Sequence, residues 1–570
     1  MHIISKLFFI TNTSSKNLFL LTIVTIVTSF IDILSIGLIF PYTKVILNDY
    51  SIFENYQIVN NYLATKSNEQ IFYTISFVLI ILFIFKFLIT IALRYIIIRY
   101  THGKLPSVQL SLAKKYQLLS LSEKNLKKDS DIIRNLKELS EKTVVCLENV
   151  LKLIAESVIL FTLSIYLMIF SPKIFFILAS IIIIFGFSFS QIFRPIVYEA
   201  GKNRINSDSK IILLIQDLLL SFKEIRILGK ENFFLPMLSS AANNIYKSIS
   251  INMMTTIIPR YAIELIVILF FVTFTLINYD NSSFLNNTLP SLVVFGVASM
   301  RIIPLSGSII RGWVTLKYKL PIVDEVYSDI KFKSDRKKKN IKKVNFEEIE
   351  LKNISFEYNN SKNKIFEEIN FKIKQKQTIG ILGESGSGKT TFINILMGLL
   401  DIKKGTFNLN GTVLEEKLYD KIKISYIAQE NLVLKESVKK NISLEIDEKL
   451  IDVIKLEEAI KFSNFDKVLQ KNNLTLNSII GENGLSLSGG ESKRLSIARA
   501  LYHNCDLLIM DEALNSLDEI NKIEIRDNLE SIKSRIAMVI ISHDKIDLNS
   551  CDMIYKIENG KINLLKNYEE

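Results

Sequence analysis

The chain has 570 residues and a mass of 65.4 kDa, more than one hydrophobic core usually organises, so two or more domains are expected. Its formal net charge of +12 alone would fit a nucleic-acid-binding protein, but hydrophobic residues make up 49% of it. These residues concentrate in long runs before residue 320, a distribution typical of a membrane protein. Cys146, Cys505 and Cys551 lack paired spacing, so neither a disulfide framework nor a zinc site is indicated, and we expect reduced thiols.

Six apolar runs each approach the roughly 20 residues that a helix needs to cross about 30 Å of hydrocarbon. The predicted spans are residues 18–40, 72–95, 150–170, 174–193, 257–276 and 292–309. Only Ser171, Pro172 and Lys173 separate the third span from the fourth, so these two spans must form an antiparallel hairpin. The first run is too long for the core of a secretory signal, and we expect it to remain as a membrane helix.

Basic residues indicate the orientation of the spans. Residues 101–142 and 202–247 are rich in Lys and Arg, whereas residues 278–290 contain neither. Both basic loops and both termini are therefore expected in the cytosol. These loops contain little Pro or Gly, so we predict that they extend the membrane helices beyond the bilayer. Residues 50–63 fit either a short helix on the outer surface or an ordinary loop.

Several ionisable residues fall within the predicted spans: Asp32, Lys86, Glu156, Arg260, Glu264 and Arg301. Because charge in hydrocarbon costs several kcal/mol, such residues usually face a wet cavity or one another. Lys86, Arg260 and Arg301 are candidates for lining a substrate cavity. The alternatives are an ion pair between Arg260 and Glu264 and a Lys86 side chain that snorkels to the interface.

After about residue 345 the pattern of apolar and polar residues becomes typical of a soluble α/β protein. We predict a membrane domain over residues 1–325, a basic linker over 326–348 and an α/β domain over 349–570. The Lys- and Arg-rich part of the linker fits either a solvated connector or a segment that contacts lipid headgroups.

One segment of the α/β domain matches the phosphate-binding pattern GxxxxGK[ST] in full. It consists of Gly383, Glu384, Ser385, Gly386, Ser387, Gly388, Lys389 and Thr390, followed by Thr391. A strand is predicted over residues 378–382 and a helix over 391–400, so the glycines lie where a strand turns into a helix. Glycine lets the backbone N–H groups approach phosphate closely. The pattern predicts bound ATP, with Lys389 neutralising the β- and γ-phosphates and Thr390 ligating Mg²⁺.

A second motif supplies two carboxylates. Residues 507–510 are all apolar and predict a strand covered on both faces, which delivers Asp511 and Glu512 at its C-terminal end. Asp511 is suited to hold Mg²⁺ and Glu512 to polarise the attacking water. For this run alone, the alternative is a buried strand followed by a solvated turn.

The segment Leu487-Ser488-Gly489-Gly490-Glu491 resembles the signature motif of ATP-binding-cassette (ABC) proteins, and it lies between the other two motifs in the family's order. The resemblance implies that Ser488, Gly489, Gly490 and Glu491 receive the γ-phosphate of ATP held by the other subunit. Glu491 stands where Gln is more common.

Further segments also resemble those of the family. The resemblance implies an adenine-stacking role for Tyr358, a Mg²⁺-linked Q-loop role for Gln429, a D-loop role for Asp518 and a switch role at the γ-phosphate for His543. It makes Gln429, Glu512 and His543 the expected catalytic residues and Thr390, Gln429 and Asp511 the expected metal ligands. Residues 481–484 resemble the exporter-type segment that precedes the signature, and 516–518 form the D-loop segment.

Six spans followed by one ATPase domain resemble an ABC exporter half-transporter: an α-helical membrane domain of exporter type fused to an α/β P-loop nucleotide-binding domain. Residues 258–261 and 300–304 resemble, less specifically, bacterial flippases for lipid-linked oligosaccharides, in which an Arg would replace Lys86. The resemblance implies ATP-driven export or flipping across the cytoplasmic membrane, with ATP and Mg²⁺ as cofactors and membrane lipid and a lipid-linked or amphipathic substrate as partners. No nucleic-acid partner is expected.

A dimer is required because the phosphate loop and the signature must come from different subunits. No catalytic position is degenerate, which favours a homodimer. Residues 118–126 and 227–234 are the expected contact segments between the domains. A general exporter of lipids, drugs or peptides remains open, as does a different class, an ATP-gated channel or regulatory subunit.

Overall fold

The computed structural model describes residues 2–38, 42, 45–46, 68–278, 289–331, 343–358, 364–481, 486–515 and 518–567. The chain divides into two units, one of Met1–Leu119 and Glu123–Arg336, the other of Ser120–Ser122 and Lys337–Glu570. The surface segment predicted over residues 50–63 and most of the basic linker lie outside the described residues.

The first unit is helical in its described part. Its helices are α1 His2–Thr11, α2 Ser15–Gly37, α3 Asn68–His102, α4 Leu105–Gln117, α5 Leu121–Leu126, α6 Asp129–Arg134, α7 Ser140–Phe170, α8 Pro172–Leu220, α9 Phe222–Leu228, α10 Leu235–Asn278 and α11 Leu289–Lys331. A π-helical turn over Asn135–Leu139 joins α6 to α7.

Six long helices, α2, α3, α7, α8, α10 and α11, coincide with the six predicted spans. By length and composition, four described helical stretches can cross a membrane: Glu69–Gln117, Asp129–Ile169, Pro172–Leu220 and Glu231–Ile277. A shorter apolar helix covers Thr22–Ser35. The α11 helix continues through Arg301 and Pro304, since a Pro inside a helix removes one backbone hydrogen bond and bends the helix without ending it. It also continues to Lys331, inside the range predicted as the linker.

The connections confirm the predicted hairpin. Ser171 alone separates α7 from α8. The α8 and α10 helices contain 49 and 44 residues, far more than the roughly 20 that a bilayer requires, so they extend the spans as predicted. The basic stretch after α3 instead breaks into short helices. The break before α4 coincides with Pro106 in its first turn, where the missing N–H of proline is tolerated.

A polar network joins α4, α11 and the turn before α7. The Asp329 carboxylate accepts hydrogen bonds from the Tyr116 hydroxyl at 2.5 Å and the Asn135 amide at 3.0 Å. Arg134, which is buried, pairs with Glu325 of α11. Since each buried polar group here has a partner, these contacts fix the positions of the helices without leaving unpaired charge.

The second unit combines three sheets with short helices. Its strands are β1 Glu348–Glu357, β2 Lys364–Lys374, β3 Thr378–Leu382, β4 Lys404–Leu409, β5 Thr412–Val413, β6 Ile424–Ile427, β7 Glu436–Ser437, β8 Ile479–Ile480, β9 Leu507–Asp511, β10 Ala537–Ser542, β11 Met553–Glu558 and β12 Lys561–Asn567. Its helices are α12 Lys389–Leu396, α13 Leu418–Lys421, α14 Val438–Ser443, α15 Val453–Phe462, α16 Phe465–Lys471, α17 Gly489–Tyr502 and α18 Glu519–Ile532.

The largest sheet has the strand order β12-β11-β3-β10-β9-β6. The strands from β11 to β6 are parallel, and β12 pairs with β11 in antiparallel orientation. The β9 and β10 strands are buried along their whole length and β3 nearly so. This burial confirms the prediction of strands covered on both faces. A second, antiparallel sheet has the order β2-β1-β4-β5, and β7 pairs with β8. The three cysteines are free and buried.

A close helix contact in the first unit gives a stability prediction. A Cβ built on Gly201 of α8 would overlap the carbonyl oxygen of Tyr318 in α11, whereas one on Gly296 meets nothing within 4 Å. We expect Gly201→Ala to lower the free energy of unfolding by about 1–3 kcal/mol, because backbone atoms must move apart. The Gly296→Ala control should unfold at or above the wild-type temperature. Thermal unfolding in detergent compares the two, and equal midpoints would contradict the close packing.

Candidate nucleotide-binding site

The phosphate-binding loop connects β3 to α12. Gly386 and Gly388 have φ angles of 82° and 103°, a left-handed conformation that glycine adopts without strain. A Cβ on Gly383 would lie 2.6 Å from the Ser387 hydroxyl oxygen and 3.0 Å from the carbonyl oxygen of Ile557. The pattern of glycines is therefore required by this backbone path.

Lys389 lies inside the loop. Its ammonium donates to the carbonyl oxygens of Gly383 at 2.7 Å and Glu384 at 2.9 Å, and the residue is only 8% exposed. The Ser387 hydroxyl oxygen is buried and finds no hydrogen-bond partner in the described part of the chain. A positive charge and an unmet polar atom in one loop are features that suit an anionic ligand.

The α12 helix begins at Lys389, so the exposed Thr390 is in its first turn, where its hydroxyl is free to meet a ligand. The helix ends at Leu396, earlier than the predicted residue 400, because Gly398 adopts a φ angle of 76°. Beside it, the Tyr358 hydroxyl is 3.2 Å from the Thr391 hydroxyl. The aromatic residue predicted to stack on adenine is thus next to the phosphate-loop helix.

The carboxyl ends of four parallel strands meet at one edge of the large sheet. The last residues of β3, β6, β9 and β10 lie in register with their neighbours, so the residues that follow the strands emerge side by side. Ligands of open α/β sheets bind at such an edge. The residues that emerge there are Gly383, Gln429, Glu512 and His543.

Glu512 is held by its backbone and by neighbouring amides. Its φ angle is 49°, and its N–H donates to the carbonyl oxygen of Ile541 at 3.1 Å. Its Oε2 accepts from the Gln429 amide at 3.0 Å and the Asn515 amide at 3.4 Å. The other carboxylate oxygen, Oε1, is 3.9 Å from Nδ1 of His543 and 4.0 Å from Nζ of Lys389. The three predicted catalytic residues are therefore brought together.

Asp511 is buried beside this carboxylate. It is 5% exposed, and its Oδ2 accepts from the Tyr426 hydroxyl at 3.1 Å. Burial raises the pKa of the Asp511 carboxyl, and the Tyr426 hydrogen bond and the nearby lysines oppose that rise. Burial and the adjacent Asp511 likewise raise the pKa of Tyr426. Sequence reasoning did not identify Tyr426; its place three residues before Gln429 was the available signal.

The signature segment forms the start of α17. Ser488 is the N-cap: its hydroxyl accepts from the Glu491 N–H at 3.3 Å, and Glu491 accepts from the Ser488 N–H at 2.9 Å. This reciprocal pair is a capping box, which Glu491 completes, and Gly489 and Gly490 begin the helix as predicted. Burial alone would raise the pKa of Glu491, but hydrogen bonds from Ser488, Lys471 and Asn472 lower it to about 2.

Lys493 is a residue of this helix that sequence reasoning missed. It is 2% exposed, and its ammonium donates to the carbonyl oxygens of Ala428 at 2.8 Å and Gln429 at 3.0 Å. Burial lowers the pKa of Lys493, whereas Asp511 and Glu512 favour its charged form. The lysine therefore fixes the backbone that carries Gln429. Its helical spacing with the buried Ile497 and Ala500 was the signal that it points inward.

Other predicted residues are only partly placed. Asp518 occupies the N-cap position of α18, and its carboxylate accepts from the Asn521 side-chain amide at 2.6 Å. Residues 482–485 and 516–517 lie outside the described residues. The candidate cavity residues Lys86, Arg260 and Arg301 are on α3, α10 and α11. The Lys86 ammonium lies 5.1 Å from the centre of the Phe83 ring. The Arg260 guanidinium lies over Tyr261, at 6.0 Å, and the alternative ion pair with Glu264 is not formed.

The capping box gives a prediction for acid pH. A carboxyl with a lowered folded-state pKa adds stability that is complete above its ordinary value of 4.5 and is lost as pH falls toward about 2. We expect Glu491→Gln to unfold more easily by on the order of 1–2 kcal/mol at pH 7, with the difference shrinking at pH 3. Thermal unfolding at both pH values measures it. The exposed Glu519→Gln serves as control, and a difference that does not change with pH would contradict the assignment.

Comparison with known proteins finds a family model that matches part of this site. Residues 366–515 match the family model described as "ABC transporter". An ATP-dependent lipid A-core flippase of Wigglesworthia glossinidia brevipalpis is 27% identical over 72% of this chain and 68% of its own length. The flippase of the same name from Coxiella burnetii is 31% identical, over 38% of this chain and 36% of its own.

The fold agrees over nearly the full length. A solved structure of a bacterial Atm1-family ABC exporter with ATP bound superposes with a TM-score of 0.80, covering 97% of this chain and 94% of that one at 17% identity. At that identity the likeness concerns the fold alone. Residues 366–515 therefore resemble the ABC transporter domain, and the chain has the fold of that exporter structure.

Proposed function

We propose that this chain is one half of a homodimeric, ATP-driven exporter that moves a lipid-linked oligosaccharide or a related anionic lipid across the cytoplasmic membrane. In this arrangement the ATPase domain and both termini face the cytosol. The observation that carries the proposal is the convergence of Lys389, Gln429, Asp511, Glu512 and His543 at one edge of the parallel sheet.

The geometry fits hydrolysis of a phosphate anhydride. Lys389 supplies positive charge inside a loop of backbone N–H groups, where the phosphates of ATP are held. Glu512 acts on the attacking water: the amides of Gln429 and Asn515, at 3.0 Å and 3.4 Å, orient its carboxylate. His543, beside the same carboxylate, is placed to contact the γ-phosphate.

The residues also suit a magnesium ion that arrives with ATP. Within the described residues, no group of three or more His, Cys, Asp and Glu side chains could hold a metal. Mg²⁺ is commonly bound by one or two protein groups together with substrate phosphates. Asp511, Thr390 and Gln429 would hold it, and the bound ion would neutralise charge on the phosphates.

The proposed dimer rests on the resemblance to ABC proteins, in which the phosphate loop and the signature of one site come from different subunits. Ser488 opens α17, and the N-terminus of a helix favours an anion. In the proposed dimer, this helix start faces the γ-phosphate on the partner's Lys389. Closing two ATPase domains in this way would move the membrane helices through residues 118–126 and 227–234.

The lipid substrate is supported by two observations. Relatives that align over part or most of their length bear the name lipid A-core flippase. In addition, Lys86, Arg260 and Arg301 place basic side chains on three different membrane helices, and charge within a membrane span usually marks a substrate pathway.

The function is tested in vesicles that contain the purified protein and a fluorescent lipid-linked oligosaccharide. We expect ATP-dependent loss of the lipid from one leaflet. Glu512→Gln should abolish it and lower kcat for ATP hydrolysis at least about 100-fold, because a general base contributes that much, while ATP still binds. The exposed Glu519→Gln is the matched control. Brisk hydrolysis by Glu512→Gln would remove this residue from its role, and ATP turnover without lipid movement would remove the lipid as substrate.

The positioning role of Lys493 is tested by one substitution that removes its hydrogen-bond donors and one that keeps them. Lys493→Met removes two hydrogen bonds to the backbone at Gln429, so we expect kcat to fall about tenfold with little change in KM for ATP. Lys493→Arg keeps donors at this place and should recover part of the rate. A folded Lys493→Met protein with full kcat would show that the lysine does not position Gln429.

A further inference from the structure

A polar cavity of about 270 Å³ lies in the membrane unit between α7, α10 and α11. The side chains that define it are Lys152, Glu156, Asn252, Ser308, Arg311 and Thr315. Such a concentration of polar groups among apolar membrane helices is unusual, because each must find a partner there. The cavity is separate from the nucleotide site, which lies in the other unit.

Two buried acceptors at this cavity lack donors. Glu156 is 5% exposed. Its Oε1 accepts from the Arg94 guanidinium at 2.9 Å and lies 3.9 Å from the Lys152 ammonium, but its Oε2 is buried without a partner in the described part of the chain. The same holds for the amide oxygen of Asn252. Since buried acceptors are nearly always satisfied, this pair points to a ligand that brings N–H or O–H groups.

The same cavity carries excess positive charge. Lys152 and Arg311 line it, and Arg94 reaches Glu156 from α3, so three cations face one carboxylate. Among the described residues Arg311 forms no ion pair. A guanidinium and an ammonium that line one cavity are suited to a phosphate group.

The cavity lies at the ends of the apolar runs. Lys152 and Glu156 lie in the first part of the third predicted span, Asn252 shortly precedes the fifth, Ser308 lies at the end of the sixth and Arg311 just follows it. In the proposed orientation these are all cytosolic ends. The level of the cavity is therefore that of lipid headgroups in the inner leaflet.

We infer that this cavity binds the polar end of a lipid in which a phosphate lies next to an N–H or O–H donor. The phosphate meets Lys152 and Arg311, and the donor satisfies Glu156 Oε2 and the Asn252 amide oxygen. A volume of about 270 Å³ is just below the range of small-molecule pockets, so it holds a headgroup and not the tails. The assignment rests on the proposed function for its orientation. Its two sources are an ethanolamine phospholipid of the membrane and the sugar phosphate of a transported lipid.

The chain contains a natural reporter for this cavity. Trp313 is its only tryptophan; it is 50% exposed and lies between Gly312 and Thr315, which line the cavity. Full-length protein in a neutral detergent, without ATP, is titrated with three soluble probes while Trp313 fluorescence is recorded. The probes are glycerophosphoethanolamine, glucose 1-phosphate and glycerophosphocholine. The last shares the phosphate and the glycerol hydroxyls of the first probe, but its quaternary ammonium has no N–H donor, so these two probes differ only in that donor.

We expect saturable binding of glycerophosphoethanolamine or glucose 1-phosphate, with glycerophosphocholine at least about fivefold weaker, as the loss of a hydrogen-bonded donor requires. Arg311→Gln should weaken the bound probe about tenfold. Asn252→Leu should remove much of the preference over choline while the phosphate still binds. The matched control is Arg226→Gln, because Arg226 is exposed and is not among the residues that line the cavity.

The outcomes distinguish the two possible sources of the lipid, and they distinguish failure of this inference from failure of the proposed function. Tighter binding of the ethanolamine probe identifies a membrane phospholipid, and tighter binding of the sugar phosphate identifies the transported lipid. No saturable change with either probe, or equal affinity for the choline probe, overturns the inference. If Arg311→Gln fails to fold, Asn252→Leu alone decides through the choline preference. Because binding is measured without ATP, a protein that binds the probe but moves no lipid would contradict the proposed function only.

Discussion

The parallel alignment of β3, β6, β9 and β10 is the constraint on which the nucleotide site depends. Parallel strands end at the same edge of a sheet, so the residues that follow them lie close together even when they are far apart in sequence. The register of these strands places Glu512 beside Gln429 and His543.

Electrostatic balance at this edge comes from two buried lysines. Lys389 approaches Glu512 from the phosphate loop, and Lys493 approaches the neighbouring backbone from α17. Two carboxylates, Asp511 and Glu512, face them. Removing either lysine would leave buried negative charge that is poorly compensated, and this cost exceeds the value of a surface ion pair. Structural and catalytic roles therefore overlap in these side chains.

Much of the fold and the nucleotide site was predictable because both depend on local patterns. Apolar runs and Gly-rich turns predicted six long helices, β3, β9 and the start of α17, and four described helical stretches are long and apolar enough to cross a membrane. Residues 101–142 were harder, since the break into α4, α5 and α6 depends on packing and on Pro106. Tyr426 and Lys493 were missed because their importance comes from contacts with Asp511 and Ala428, which are remote in sequence. The cavity at Glu156 was invisible for the same reason: its walls come from three helices.

The one-residue connection at Ser171 limits how the membrane helices can move. With a single residue between α7 and α8, the ends of the two helices can separate by only about 7 Å. Glu156 precedes Phe170 by a helical length of about 21 Å. A small rotation of α7 relative to α8 about the end joined by Ser171 therefore produces a much larger displacement at the level of Glu156. The joint acts as a fixed pivot, and any widening between α7 and α8 must increase with distance from it.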